Sequence, residues 1–142
     1  MQFNHRLRGG AAALAAVGAM LAPSASAAGI DGSRNLVCAA IDVVACAQGA
    51  GCIQGLARNF DLPEFMFVDF GAKIVRATGE SPHKNVRSPI KNSETTKSQL
   101  VLQGVENGHG WSMSIDSASG RMTATLSGEL VSFMIFGACT AQ

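Results

Sequence analysis

Two neighbouring stretches of this chain change face at every second residue, and that period commits them to sheet. In Trp111–Asp116 the apolar Trp111, Met113 and Ile115 alternate with Ser112, Ser114 and Asp116, the period of two of a half-buried strand. Arg121–Ser127 repeats the pattern, with Met122, Ala124 and Leu126 on one side and Arg121, Thr123, Thr125 and Ser127 on the other. A helix would mix these sets on every face. Ser117-Ala118-Ser119-Gly120 between them is small and polar and ends in glycine, the chemistry of a short hairpin loop. Upstream, Gln99–Gly104 supplies Leu100 and Leu102 before a turn at Asn107-Gly108-His109-Gly110. Downstream, Val131–Phe136 is apolar on both faces apart from Ser132. Strand centres recur about every 10 residues, as in an antiparallel meander.

The earlier part of the chain continues the theme less cleanly. Leu36–Ala45 reads as extended, whereas Ile53–Asn59 fits either a strand or a turn of helix. Pro63 breaks Phe60–Glu64 by fixing its own φ and disfavouring helix at Leu62. Phe65–Phe70 is apolar except for Asp69, and after Gly71-Ala72 the run Lys73–Thr78 places Val75 and Ala77 opposite Arg76 and Thr78. From Gly79 to Lys97 the chain is polar and carries Pro82 and Pro89, so it reads as the longest loop. Runs near 36–45, 53–59, 65–70, 73–78, 98–104, 111–116, 121–127 and 131–136 give about eight strands. No amphipathic helix is available to cover them, so the apolar faces must cover each other. The expectation is an all-β fold, a small antiparallel barrel or sandwich, with the barrel preferred.

The first residues read as a targeting segment rather than as part of that fold. Arg6 and Arg8 precede the apolar run Ala11–Leu21, and Ala25-Ser26-Ala27 offers small residues for a signal peptidase. The prediction is a cleaved signal peptide over 1–27 and one domain over 28–142, located in the periplasm or secreted. A membrane anchor needs roughly 20 apolar residues, more than this run provides, and no later segment is apolar enough to span. Losing Arg6 and Arg8 leaves nine of the 11 basic residues against 10 acidic ones. That near balance gives no basis for nucleic-acid binding.

Cys38, Cys46, Cys52 and Cys139 form an even set in a chain read as exported, which favours two disulfides. Four cysteines allow three pairings, and the strand reading removes one of them. If Leu36–Ala45 is extended, Cys38 and Cys46 lie about 26 Å apart, beyond disulfide reach. Cys46 and Cys52 flank the flexible Ala47-Gln48-Gly49-Ala50-Gly51. We therefore expect Cys46–Cys52 as a local staple and Cys38–Cys139 as a link between first and last strands, which would close the sheet. The spacing matches no zinc pattern, and no metal or cofactor is expected.

No catalytic grouping emerges: there is no G-x-S-x-G, no H-E-x-x-H and no phosphate-binding glycine loop. His83, beside Pro82, and His109, at a turn, read as solvated, and Asp69 and Glu106 would form a carboxylate pair only if the fold joined them. Trp111 reads as core, its indole N–H reaching a carbonyl at the strand end, or as the wall of a ligand cavity. Together with Phe65, Phe67, Met113, Met122 and Phe133 it would line an apolar pocket if the barrel were left unfilled. Lys73, Arg76, Lys84, Arg87, Lys91 and Lys97 face only Glu80 and Glu94 over their stretch. They read either as a solubilising surface or as an anion patch. Without interleaved aromatics they do not suit single-stranded nucleic acid.

Val105-Glu106-Asn107-Gly108-His109-Gly110-Trp111, Thr123-Ala124, Phe136-Gly137-Ala138-Cys139-Thr140, Leu62-Pro63-Glu64-Phe65 and Val68-Asp69-Phe70 resemble segments of small exported proteobacterial proteins of unknown function. That resemblance implies no activity. In size, disulfides and barrel-like pattern the chain is also similar in architecture to periplasmic lysozyme inhibitors, without their characteristic Ser-Gly-containing blocking segment. The reading that follows is an exported, non-enzymatic small β-barrel that binds an envelope glycan, a lipid or other apolar small ligand, or a periplasmic protein. The alternatives are an inhibitor of a cell-wall hydrolase and an enzyme.

Overall fold

The computed structural model describes residues 29–79 and 82–142; the expected signal peptide lies outside the described residues. Nine strands follow in order: β1 (Leu36–Ala47), β2 (Gly51–Gly55), β3 (Phe65–Asp69), β4 (Ile74–Ala77), β5 (Arg87–Thr95), β6 (Gln99–Glu106), β7 (His109–Asp116), β8 (Arg121–Ser127) and β9 (Val131–Ala141). A 3₁₀ turn, Ala57–Phe60, sits between β2 and β3. No helix among the described residues is long and apolar enough to cross a membrane.

Each strand from β3 to β9 pairs antiparallel with the next. β1 closes the circle. It runs beside β9 from Leu36 opposite Ala141 to Ala47 opposite Val131, and its first residues pair with β3 on the other edge. The eight strands β1 and β3–β9 thus form a closed barrel, and β2 folds back on the second half of β1 as an extra strand. Closure removes the unpaired edges that an open sheet of these strands would expose.

Both disulfides join cross-strand neighbours, Cys38 with Cys139 and Cys46 with Cys52. The first lies buried inside the barrel and spans the closing seam. The second fastens the β1–β2 hairpin. They occupy different faces because β1 carries a bulge between Ala40 and Asp42. An extra residue shifts the alternation by one, so Leu36 and Cys38 point inward before the bulge and Val43 and Ala45 after it.

Local chemistry sets the turns. Asn107 (φ 47°) and Gly108 (φ 79°) make a two-residue hairpin turn with both central residues left-handed. At Asp116–Arg121, Ser119 donates its hydroxyl and its amide to Asp116 Oδ1, each at 2.7 Å. Those two bonds hold the Asp116 carboxyl below its ordinary value of 3.8. Gly120 (φ 71°) completes the loop, and a Cβ there would overlap the Cys139 carbonyl.

Three sequence expectations are corrected. The polar stretch read as the longest loop contains β5, an interior stave of the barrel. Its alternation is concealed because the inward positions are Ser88 and Ile90, with Pro89 between them; Pro89 is tolerated where β4 and β5 share only the short register Ile74–Arg76. Ile53–Asn59 is neither alternative alone, since β2 ends at Gly55 and the 3₁₀ turn follows. β9 continues past Phe136 to Ala141, as its pairing with the full length of β1 requires.

Candidate functional site

The interior of the barrel is packed at one end and hollow at the other. Leu36, Val68, Leu100, Ile115, Met122 and the Cys38–Cys139 bridge fill the end where β1 begins. The segment before β1 seals it: Ile30 is buried, its amide donates to the Ser117 carbonyl, and Asn35 Oδ1 accepts from the Phe70 amide. At the other end four inward positions are small, Ala77 on β4, Ser88 on β5, Gly104 on β6 and Ala124 on β8, among the larger Met66, Val75, Trp111, Met113 and Ile135. A cavity of about 330 Å³ remains between them. An apolar cavity of about 150 Å³ holds a benzene molecule, so this one has room for roughly two such rings.

Trp111 forms one wall. Its ring lies across β6 at Gly104, where a Cβ would overlap the indole and the Pro89 carbonyl. Having crossed β6, the indole Nε1–H donates to Ser88 Oγ on β5 at 2.7 Å. The indole partner is therefore a hydroxyl two strands away rather than a carbonyl at the strand end. Ser88, at 8% exposure, is the only polar residue that the fold buries among the described residues. Sequence reasoning missed it because it lies in the stretch read as loop. The one signal available was its place two residues before Ile90 on an inward-facing row.

The mouth is polar. The inner row of β6, Leu100-Leu102-Gly104, ends in Glu106, and that of β7, Ile115-Met113-Trp111, ends in His109, the cross-strand partner of Glu106. His109 Nδ1 lies 3.2 Å from the Asn107 carbonyl, and its ring rests against Gly128. Opposite, His83 Nε2 lies 3.3 Å from Asp61 Oδ1. Neither histidine is the solvated residue expected, because both are half-buried around the mouth. Asp69 is at the packed end, where it accepts from the Ala72 amide, so it forms no pair with Glu106.

Of the six residues expected to line a pocket, Trp111 and Met113 do so. Met122 fills the packed end, and Phe133 packs edge-on against Phe60, their centroids 6.2 Å apart. Phe65 and Phe67 share the outer face of β3, and Met66 takes the inward position. The Arg76 guanidinium covers Phe67, 4.5 Å from the ring centroid, a cation–π contact. The six basic residues do not gather. Arg76 and Arg87 are cross-strand partners on the outer wall, whereas Lys73 is in the β3–β4 turn, Lys84 in the loop before β5, Lys91 at the β5 bulge and Lys97 in the β5–β6 turn. Among the described residues no group of three or more His, Cys, Asp or Glu could hold a metal ion.

Fold and cavity together define a small, disulfide-stapled antiparallel β-barrel with one hollow end. No protein family, curated protein or solved structure gives a significant match to the chain.

Proposed function

We propose that this protein is exported, loses residues 1–27, and binds a small, largely apolar molecule in the hollow end of its barrel. The observation that carries the reading is the cavity of about 330 Å³ beside Trp111 and Met113, open at one end to a rim of Asp61, His83, Glu106 and His109. Small-molecule sites are characteristically concave and apolar with a few placed polar groups, and volumes of about 300–1,000 Å³ are usual. Two disulfides support export, because such bonds persist in oxidising compartments. The six basic residues are scattered, and of them only Arg76 lines the cavity, so the reading rests on the barrel interior rather than on an anion patch.

Trp111 is the only tryptophan in the chain and reports on the cavity directly. Titrating the disulfide-bonded protein with 1-octanol should give a saturable change in its emission. Ala124→Phe, which places a ring in the cavity, should abolish that change while leaving a cooperative thermal transition. A wild-type protein whose emission does not respond, with no heat of binding by calorimetry, would remove this reading.

A further inference from the structure

We propose that Ser88 is a ligand-recognition residue whose hydroxyl donates a hydrogen bond to a neutral carbonyl-type acceptor on the molecule held in the cavity. This rests on the cavity reading above and adds the chemical class of what fills it. A serine hydroxyl has one proton and two lone pairs. One lone pair accepts the Trp111 indole N–H at 2.7 Å, so the proton must point away from that donor. Among the described residues the Ser88 proton meets no acceptor, although the residue is buried and lines the cavity. Its proton is therefore the polar donor that this wall turns toward the cavity, and a carbonyl on the ligand is the acceptor that would match it.

The surroundings narrow the acceptor. An ionised carboxylate held against a single hydroxyl in an apolar wall would lose far more hydration than it regains. A ketone, ester or amide carbonyl on an otherwise apolar skeleton does not bear that cost. The Ser88–Trp111 bond then has two roles, orienting the hydroxyl and pinning the indole flat as the wall against which the ligand skeleton packs.

Acetophenone and ethylbenzene share a skeleton and differ in the carbonyl, and benzoate supplies the anion. Calorimetry of the disulfide-bonded protein should show binding of the first two and none of benzoate. Ser88→Ala alone uncovers the indole N–H as a substitute donor, so the decisive variant is Ser88→Ala with Trp111→Phe. In that variant acetophenone should weaken about tenfold, the scale of one hydrogen bond, while ethylbenzene changes little. The infrared carbonyl stretch of bound acetophenone should lie lower in the wild type than in the double variant. Trp111→Phe alone, which retains the hydroxyl, should keep the lowered stretch and guards against a misfolded double variant. Equal losses for both ligands, an unshifted stretch, or tight binding of benzoate would overturn the Ser88 assignment and leave the cavity reading standing. Failure of both neutral ligands to bind the wild type would end the two together.

Discussion

The two ends of this barrel follow the same alternating pattern and reach opposite outcomes. At the packed end the inward positions hold Leu36, Val68, Leu100, Ile115 and Met122, and Ile30 seals the opening. At the hollow end the small Ala77, Ser88, Gly104 and Ala124 stand among the larger Met66, Val75, Trp111, Met113 and Ile135. Strand number sets the width of a closed barrel, so side-chain volume alone decides whether a given layer is filled. Alternation specifies which residues face inward, and their size specifies whether they meet. The packed end holds the apolar core, and the hollow end is the one for which ligand binding is proposed.

The largest test of that division concerns the crosslinks. Replacing Cys38 and Cys139 by serine opens a link across a separation of 101 residues inside the packed end, against 6 for Cys46 and Cys52 on the outer hairpin. The chain-entropy relation gives about 4.7 and about 2.2 kcal/mol respectively. Denaturant unfolding should therefore show the first pair costing roughly twice the second, and equal costs would break the distinction. Next, Leu100→Ala at the packed end should cost about 2–5 kcal/mol. Ala124→Phe should cost less than Leu100→Ala because its ring enters existing space, while eliminating the octanol response of Trp111. A large loss of stability in Ala124→Phe would mean that the hollow end is not hollow in solution.

Smaller effects sharpen the picture. Gly104→Ala forces a methyl group against the indole and the Pro89 carbonyl. It should cost about 1–3 kcal/mol and shift Trp111 emission in the absence of ligand. The smallest effect is electrostatic and belongs to the packed end. Asp116 has a folded pKa below its ordinary 3.8, set by the Ser119 hydroxyl and amide, so its contribution is present above that ordinary value. It fades as pH falls through the lower folded value. The stability difference between wild type and Asp116→Asn, followed by thermal melts, should be present at pH 6 and shrink toward pH 3, without affecting ligand binding.

Legibility in the sequence varied along the chain for physical reasons. β8 and β7 from Trp111 onward were readable because one face is dry and the other wet, whereas His109 and Gly110, read as turn, open β7. β3 was readable as a strand but not in orientation, since Phe65 and Phe67 on its outer face are as apolar as Met66 and Val68 within. Only the arrival of Arg76 from β4 explains how Phe67 can lie outside. β5 was hidden because its inward serine serves a tryptophan on β7, a partner that no local pattern can reveal. His83 and His109 were assigned to solvent for the same reason, the loops around the mouth being brought together by closure and not by sequence proximity.

By itself the sequence determined the all-β class, placed turns at Asn107–Gly110 and Ser117–Gly120, and excluded one of the three cysteine pairings. These depend on short-range geometry, namely strand period, permitted φ and the reach of an extended segment. The tertiary structure alone decided the rest. The β1 bulge puts one disulfide inside the barrel and the other outside, and the crossing of β6 by Trp111 joins it to Ser88. The coincidence of small residues from four strands leaves the void. Each of these depends on which residues of distant strands share a layer, and the closed hydrogen-bonded register of the barrel is what sets that.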